Sequence, residues 1–297
     1  FQRFRRFWAR LIGGGQPARR EPPIVKIPRE GTVAVLVAAR NEETGIEDTV
    51  RSLLAAMPAS DIYVFADQCT DATVEIARRF LPEANVIDHP TNVGKSRGLQ
   101  YLLTHRVYLR NYRFVAVIDA DSTIEPDYVI ECMKVMRNRG TVGVVGKVIT
   151  SNYPQNIFAV YRSFVYFVWE EVVKRLGSVV EAIPIASGTS TMWRVSALRR
   201  IEFDHRFSTE DFYITFQVHR RRLGMIKYAS SAVVYSQDPP TFRSYRRQVY
   251  RWARAWWEGL RRYRVGLRWV RFEERRRVGA LERPAADPVV AAAVEWT

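Results

Sequence analysis

Two aspartates separated by one residue are the part of the sequence with the clearest chemical potential. Asp119 and Asp121 follow the apolar run at residues 114–118, which is typical of a buried β-strand. Mg²⁺ and Mn²⁺ prefer carboxylate oxygens and leave coordination positions open for phosphate oxygens. Such a pair alone is more often a solvated turn or a helix cap. The preceding strand, together with Pro126 at the expected start of a helix, favours a metal site that also receives a phosphate group.

Alternating strands and helices surround this pair of acids. Short apolar runs predict strands, and apolar residues at spacings of three and four predict helices. The predicted strands lie at residues 32–38, 61–66, 85–88 and 114–118, and the predicted helices lie at residues 46–57, 71–80 and 94–104. Repeated βα units indicate an α/β fold with a mostly parallel, doubly wound sheet that binds ligands at the carboxyl ends of its strands.

Polar residues follow the other three predicted strands as well. Residues 40–43 read RNEE after the first strand, Asp67 follows the second, and Lys95 lies near the helix after the third, where it can meet a phosphate. Each signal is weak alone, because Asp71 is as easily a helix N-cap and Lys95 a surface lysine. No G-x-G-x-x-G turn follows the first strand, so a hydride-transferring dinucleotide domain is not indicated. Together the strand ends favour a nucleotide held by its base and ribose, with a metal on its diphosphate.

The chain divides into three predicted parts. Residues 1–29 form a basic amphipathic arm and linker, residues 30–242 the catalytic domain, and residues 243–297 a helical segment rich in arginine and tryptophan. The arm could equally be a disordered segment that only improves solubility. Inside the catalytic domain, a further strand is expected near residues 142–148 and an aromatic helix near residues 157–174.

The net charge of +15 is concentrated at the two ends of the chain. Residues 1–29 carry eight Arg or Lys and one Glu, and residues 243–277 carry thirteen Arg and three Glu. This distribution suits an anionic membrane surface, whereas a nucleic-acid enzyme more often spreads basic charge along its working face. A nucleic-acid-binding protein would agree with the pI of about 10.1, but it would leave the acidic strand ends unexplained.

Two further observations limit the class of protein. Cys69 and Cys132 belong to no C-x-x-C pair, so neither a disulfide framework nor a zinc site is indicated, and a reducing compartment is expected. No stretch reaches about 18 uncharged apolar residues, and the longest candidate, residues 157–168, is interrupted by Arg162. No membrane-spanning helix is predicted within these residues.

Read in order, the motifs resemble those of family-2 glycosyltransferases with the GT-A fold, and the resemblance runs from about residue 32 to residue 252. The motifs that carry it are VAARNEE at 37–43, ADQCTDAT at 66–73, NVGKSRGL at 92–99, DADS at 119–122, SGTSTMWR at 187–194, STED at 208–211 and QVYRW at 248–252. The last motif matches the QxxRW of the synthase-like branch, which is similar to cellulose, chitin and hyaluronan synthases.

The resemblance implies a role for each matching residue. Asp119 and Asp121 would bind Mg²⁺ or Mn²⁺, and Asp211 would be the base that accepts the acceptor's proton. Arg251 would neutralise the leaving diphosphate, and Trp252 would stack on a sugar ring, with Gln248 beside them. The implied donor-binding residues are Ala38, Arg40, Asn41, Glu42, Asp67, Lys95, Asp119 and Asp121. The implied acceptor-side residues are Gly188, Thr189, Glu210 and Trp252.

The function expected from this resemblance is an inverting, metal-dependent transfer from a nucleotide-sugar donor, with a UDP-sugar favoured, to a hydroxyl acceptor. The acceptor would be a glycan or lipid-linked, and no nucleic-acid partner is expected. The enzyme would lie at the cytoplasmic membrane face as a peripheral or anchored protein, with basic amphipathic helical extensions on anionic lipid. The alternative within the enzyme class is a soluble transferase that modifies a protein and docks an acidic partner through its arginines.

Overall fold

The computed structural model describes residues 27–152, 157–201, 209–239 and 241–263. The predicted basic arm therefore lies outside the described residues except for its last three positions. The same is true of residues 264–297 of the predicted C-terminal segment, and of Ser208 in the STED motif.

One eight-stranded sheet organises the described residues. Its strands are β1 (Val33–Ala39), β2 (Ile62–Asp67), β3 (Val86–His89), β4 (Phe114–Asp119), β5 (Ser122–Ile124), β6 (Thr141–Thr150), β7 (Thr191–Arg194) and β8 (Met225–Ser236). They are arranged in the order β3-β2-β1-β4-β7-β6-β8-β5. The first four strands in the chain are parallel to one another. β7 is antiparallel to both β4 and β6, β6 is parallel to β8, and β5 is antiparallel to β8.

Helices cover both faces of this sheet. They are α1 (Ile46–Leu54), α2 (Thr73–Phe80), α3 (Lys95–Leu102), α4 (Tyr128–Met136), α5 (Ile157–Val168), α6 (Arg175–Val179), α7 (Val195–Leu198), α8 (Glu210–Arg221) and α9 (Phe242–Tyr263). A π-helical segment, Leu103–Val107, follows α3, and another, Trp169–Lys174, connects α5 to α6. The predicted helix at 157–174 thus comprises α5 and this second π-helical segment.

The central strands are buried on both faces, which explains their continuous apolar sequences. Alternate residues of β1 enter two different clusters. Val35 and Val37 pack with Ile46 of α1 on one face, and Leu36 packs with Leu99 of α3 on the other. The α/β sheet with helices on both faces follows directly from this double burial.

Three strands, β5, β7 and β8, were not predicted from the sequence, and β5 lies directly after the acidic pair. The helix expected to open at Pro126 begins at Tyr128 instead, and β5 lies between it and Asp121. Ile124 is buried in β5 and pairs with Val234 of β8. A strand this short carries no periodic pattern that sequence analysis could recognise.

The long C-terminal helix α9 is part of the folded domain. Ala255 is fully buried in the core cluster on the α3 face, and α9 packs along α8. Within the described ranges, no helix is both long enough and apolar enough to span a bilayer.

The contribution of this packing can be tested at Leu53, which is fully buried between α1 and the sheet. Leu53→Ala should lower the free energy of unfolding by about 2–5 kcal/mol, because the truncation leaves a cavity in a close-packed core. The measurement is chemical denaturation followed by circular dichroism. Leu109, whose side chain is 72% exposed, is the control, and Leu109→Ala should change the stability by less than about 0.5 kcal/mol. Equal losses in the two variants would contradict the described burial.

Candidate active site

The carboxyl ends of four parallel strands bring most of the predicted site residues to one edge of the sheet. β1 lies between β2 and β4, so Ala38 is paired with Phe65 on one side and with Asp119 on the other. The polar residues that follow these strands are therefore neighbours in space, although they are far apart in sequence. This is the edge at which open α/β sheets bind ligands.

Asp67 anchors the loop that carries Lys95. The Asp67 side chain is buried, and its two carboxylate oxygens accept hydrogen bonds from the backbone N–H groups of Val93 and Gly94, at 2.7 and 2.8 Å. Gly94 has φ = +85°, a conformation that favours glycine. Asp67 was predicted to line a nucleoside pocket. That role stays a prediction, since both of its oxygens are already engaged in holding the loop.

The loops after β1 and β2 are joined by side-chain hydrogen bonds. Asn41 accepts a hydrogen bond from the backbone N–H of Thr70 through Oδ1, at 2.9 Å. The backbone N–H of Glu42 donates to Oγ1 of Thr73, at 2.8 Å, and that hydroxyl donates to Asp71. Asn41 has φ = +54°, an uncommon conformation for a residue other than glycine. These bonds fix the direction in which the Glu42 side chain faces the acidic pair, while Arg40 is exposed.

Three carboxyl groups crowd together at the end of β4. Burial, followed by the charges of Asp121 and Asp119, raises the pKa of Glu42 to about 7. Burial and the charge of Asp119 also raise the pKa of Asp121. Each shift reflects the cost of placing like charges in a partly desolvated site. A cation at this position would relieve that cost, so the local chemistry suits a hard divalent ion.

The fit to Mg²⁺ or Mn²⁺ depends on the ligands that a substrate would add. Among the described residues, no three Asp, Glu, His or Cys side chains are arranged to hold a metal ion by themselves. Protein sites for Mg²⁺ commonly use one or two carboxylates and complete the coordination with phosphate oxygens and water. Asp119 and Asp121 match that pattern, and the carboxylate oxygens of this cluster are the hard ligands it needs.

Lys95 connects this acidic cluster to a second group of acids on α8. Its Nζ donates a hydrogen bond to Oδ1 of Asp119 and lies 3.2 Å from Oε1 of Glu210. Burial alone would lower the pKa of Lys95, but the charges of Asp119 and Glu210 outweigh burial and raise it. The side chain therefore keeps its positive charge. Sequence analysis placed Lys95 near the donor but did not predict its contact with Glu210.

Asp211, the predicted base, is held by two backbone hydrogen bonds. Its Oδ1 accepts a hydrogen bond from its neighbour, the backbone N–H of Phe212, at 2.9 Å, and its Oδ2 accepts one from Gly188, at 3.1 Å. Burial, followed by the charge of Glu210, raises its pKa to about 6. A cavity beside it is lined mainly by apolar side chains such as Leu36, which accounts for the desolvation. A carboxylate of this kind is mostly ionised at neutral pH and can accept a proton.

Gly188 and Thr189 connect Asp211 to the acidic pair of Asp119 and Asp121. A Cβ at Gly188 would lie 3.3 Å from Cβ of Asp211, so glycine permits this close approach. The hydroxyl of Thr189 lies 3.1 Å from that of Ser122, which donates to Asp121 at 3.3 Å. Gly188, Thr189 and Glu210, which were predicted on the acceptor side, thus form one cluster with the acids predicted on the donor side.

Helix α9 packs on α8 through Trp256, which lies one turn after the QxxRW residues. Trp256 contacts the rings of Phe212 and Phe216, with centroids 6.2 and 6.0 Å apart. Trp252, one turn earlier on α9, packs against the guanidinium of Arg162, which lies 4.7 Å from the centre of its ring. One face of Trp252 is therefore already occupied by a cation, and the predicted sugar contact stays a prediction.

Arg162 was noted in the sequence only as an interruption of an apolar run. In the structure it is buried, and it donates through Nε to Oδ1 of Asp238, at 3.1 Å, and through its terminal nitrogen to the hydroxyl of Tyr166, at 2.6 Å. Asp238 also accepts a hydrogen bond from Thr150, at 2.7 Å. An arginine inside an apolar helix is the signal that could have identified this pair, because such residues are seldom fully buried without a partner.

The other two residues of the QxxRW motif lie outside this hydrogen-bonded cluster. Oε1 of Gln248 is buried and accepts no hydrogen bond from the described residues. Arg251 is exposed on α9, and its predicted contact with a leaving diphosphate stays a prediction.

Comparison with known proteins gives a consistent result. Residues 28–255 match the sequence model described as "Glycosyltransferase like family 2", a range that includes all of the predicted site residues. The chain is 26% identical over 267 residues to poly-beta-1,6-N-acetyl-D-glucosamine synthase of Staphylococcus epidermidis, covering 82% of this chain and 60% of the relative. It is 25% identical over 255 residues to the synthase of the same name from Staphylococcus aureus (strain COL), covering 81% and 58%. The chain thus spans about 60% of the length of these curated relatives.

Solved structures show a similar fold. The mannosyltransferase PcManGT from Pyrobaculum calidifontis, in complex with GDP-Man and Mn²⁺, superposes with a TM-score of 0.63 at 18% identity, covering 98% of this chain and 81% of that one. TarS 1-349 of S. aureus, in complex with UDP-GlcNAc, gives a TM-score of 0.52 at 19% identity, covering 71% and 59%. At such identities the similarity concerns the fold alone, and it confirms the predicted fold class.

The raised pKa of Asp211 predicts a specific dependence of stability on pH. The folded protein holds this proton up to about pH 6, whereas the unfolded chain releases it near the ordinary value of 3.8. Between pH 3.8 and about pH 6 the folded state therefore binds more protons than the unfolded state. The stability that this bound proton contributes is lost as the pH rises through that range. Between pH 4 and pH 6.5 the free energy of unfolding should fall by about 2 kcal/mol more in the wild type than in Asp211→Asn.

The measurement is urea denaturation at several pH values for both proteins, with Asp48→Asn as the control because Asp48 is exposed on α1. Comparing how the free energy of unfolding changes with pH, instead of its absolute value, removes any pH-independent loss of stability that missing hydrogen bonds cause in the variant. Parallel curves for the wild type and Asp211→Asn would show that this carboxyl titrates normally.

Proposed function

The chain belongs to glycosyltransferase-like family 2, as its motifs predicted, and from this membership we propose that it transfers a sugar from a nucleotide-sugar donor to a hydroxyl acceptor with inversion. The observation that carries the proposal is the position of Asp211 in one cluster with Asp119 and Asp121. A donor diphosphate bound at the two aspartates would place its sugar next to a carboxylate that can accept a proton.

The reaction requires a base for the acceptor hydroxyl and positive charge that stabilises the leaving diphosphate. Asp211 accepts the proton of the acceptor hydroxyl while the acceptor oxygen forms a bond to the anomeric carbon. The bond between that carbon and the diphosphate oxygen breaks, and the nucleoside diphosphate leaves with the electron pair. Attack from the side opposite the leaving group inverts the configuration, so an α-linked donor gives a β-linked product.

The charges around the leaving group come from the protein and from a bound cation. Asp119 and Asp121 would hold Mg²⁺ or Mn²⁺, which when bound supplies positive charge to the departing diphosphate. Lys95, which starts α3 beside Asp119, is placed to contact the same phosphates. Arg251 is proposed to add a further positive charge, with Gln248 beside it, and Trp252 is proposed to contact the acceptor sugar.

The remaining donor contacts are proposed at the loops after β1 and β2. Ala38, Arg40, Asn41, Glu42 and Asp67 lie along this edge and would surround the base and ribose. A UDP-sugar is the favoured donor. The TarS structure with UDP-GlcNAc supports that choice, whereas the PcManGT structure with GDP-Man supports including guanosine donors in any test. A glycan or lipid-linked acceptor accords with the curated relatives, which are named as polysaccharide synthases.

The proposal can be tested by measuring nucleotide release from a panel of UDP- and GDP-sugars in the presence of Mg²⁺ or Mn²⁺. Asp211→Asn should keep donor binding and lower transfer by about 10² to 10⁴-fold, because it removes the base alone. Asp121→Ala should weaken metal-dependent donor binding by at least about tenfold, because it removes a carboxylate ligand. Asp48→Asn should behave as the wild type. Normal transfer by Asp211→Asn would show that another group is the base.

We further propose that the enzyme works at the cytoplasmic face of a membrane containing anionic lipid. The helical stretch from α5 to α6 exposes a row of apolar side chains, here called the apolar stripe: Val160, Tyr161, Phe164, Val165, Val168, Val172, Leu176 and Val179. The ring of Tyr161 contacts that of Tyr245 on α9, 6.3 Å away, so the stripe begins beside α9. The exposed residues of α9 include Arg243, Arg246, Arg247, Arg251 and Arg254, together with Tyr250 and Trp257.

Apolar side chains next to exposed arginines suit an interface in which acyl chains lie beside anionic headgroups. The predicted membrane contact at the chain ends would then extend onto the folded domain. The alternative is a soluble transferase whose arginines dock an acidic protein, and the two differ in whether the apolar stripe is needed.

Sedimentation with lipid vesicles distinguishes these possibilities. The wild type should bind vesicles of phosphatidylcholine and phosphatidylserine more strongly than vesicles of phosphatidylcholine alone. Combining Val172→Glu with Leu176→Glu should reduce binding about tenfold or more, because both side chains are exposed on the stripe. Leu109→Glu, at an exposed position elsewhere, is the control. Binding that is unaffected by the double substitution would exclude the apolar stripe as the contact surface, and no vesicle binding would favour the soluble alternative.

A further inference from the structure

Lys95 holds the position at which a cation is most needed in this site. Its Nζ donates to Asp119 and also pairs with Glu210, so one ammonium group bridges the end of β4 and the start of α8. Lys95 also interacts electrostatically with the carboxyl groups of Asp211 and Asp121. Lys95 thus contacts two carboxyl groups directly and lies near two more.

The backbone of Lys95 is fixed, while its side chain has room to move. The two residues before it are held by the buried carboxylate of Asp67. The Lys95 side chain is 34% exposed, and that of Asp119 is 35% exposed, so solvent reaches the pair. A long, flexible lysine stem can therefore exchange one anionic partner for another without moving the loop.

We propose that Lys95 acts as a place-holder for the divalent cation and thereby couples metal binding to donor binding. In the ligand-free protein it neutralises Asp119. When a nucleoside diphosphate arrives, the Lys95 ammonium transfers from Asp119 to the phosphate oxygens and exposes the carboxylate to the incoming metal. The inference rests on the proposed function, since it assumes that the ligand at this edge carries a diphosphate.

Two observations support this order of events. The ammonium contacts Asp119 directly, so a metal that binds first must compete with it. In addition, the described residues offer no set of three metal-ligating side chains, so the protein alone provides few ligands to win that competition. A diphosphate removes both obstacles, because it supplies metal ligands and an alternative partner for Lys95.

The contact with Glu210 extends the effect to the acceptor side. Glu210 precedes Asp211 in α8, and its side chain is only 11% exposed. Movement of Lys95 towards a diphosphate would change its contact with Glu210 as well as with Asp119. Lys95 thus connects the donor and acceptor halves of the candidate site.

The test measures Mn²⁺ binding by the electron paramagnetic resonance signal of the free ion, with and without UDP, and with GDP in a parallel series. The wild type should bind Mn²⁺ weakly alone and more tightly with a diphosphate. Lys95→Met should bind Mn²⁺ alone about tenfold more tightly than the wild type, because a competing positive charge has been removed. UDP should then strengthen Mn²⁺ binding less in the variant than in the wild type.

The control is Lys147→Met, which removes an equally charged side chain that pairs with Glu171 outside the site, at 2.7 Å. It should resemble the wild type in both series. Lys95→Gln provides a second variant, and circular dichroism establishes that each protein is folded. Tighter binding of a metal is a gain that structural damage would not produce.

Unchanged or weaker Mn²⁺ binding in both folded Lys95 variants would overturn the place-holder role. Failure of the proposed function has a different signature: neither UDP nor GDP would bind to the wild type or change its affinity for Mn²⁺. The two outcomes are separable, because the affinity for Mn²⁺ alone is measured without any nucleotide.

Discussion

Several carboxyl groups lie close together at one edge of the sheet, and the rest of the candidate site is arranged around their negative charge. Parallel strands carry the residues that follow them to the same edge, so Glu42, Asp119 and Asp121 meet there. Burial and the neighbouring acidic charges raise the pKa of Glu42 and of Asp121, so the charged forms of these two groups are disfavoured. Lys95 supplies a positive charge, but it is outnumbered, and a negative site remains. Such a site is costly for folding and suitable for binding a cation together with an anionic ligand.

The loops that form this site are held in place by hydrogen bonds within the protein. Asp67 fixes the loop before Lys95, Thr73 fixes Glu42, and the backbone N–H of Gly188 fixes Asp211. Each of these bonds joins a side chain to backbone from a different part of the chain. The loops that carry Glu42 and Lys95 and the carboxylate of Asp211 are thus held by the protein itself, and such preorganisation lowers the ordering cost of binding.

The sequence predicted the first half of the sheet better than the second, and burial explains why. β1, β2 and β4 are covered on both faces, so their apolar runs are continuous and easy to recognise. β8 is half-exposed along much of its length and includes Lys227, Ser230 and Ser231, which obscure any simple pattern. β5 is only three residues long. Local pattern cannot reveal such strands, because their partners in the sheet define them.

Local sequence pattern also predicted only part of the candidate site. The motifs led to Asp119, Asp121 and Asp211 as individual residues, through their positions after a strand and their resemblance to a family. The contact of Lys95 with Glu210 joins residues 115 positions apart, and no local feature of either residue predicts it. Contacts of this kind follow from the packing of α8 against the sheet, which only the folded structure specifies.

Arg162 shows how one buried pair can organise two surfaces. Its partner Asp238 lies in the loop after β8, so the ion pair ties α5 to that loop, and the guanidinium also packs against Trp252 on α9. Because Arg162 points inward, residues on the opposite side of α5, such as Val160 and Phe164, face outward. Removing one member of a buried pair leaves an uncompensated charge, so this orientation is strongly enforced. The interaction that holds Trp252 of α9 against α5 therefore also directs the apolar side of α5 towards solvent.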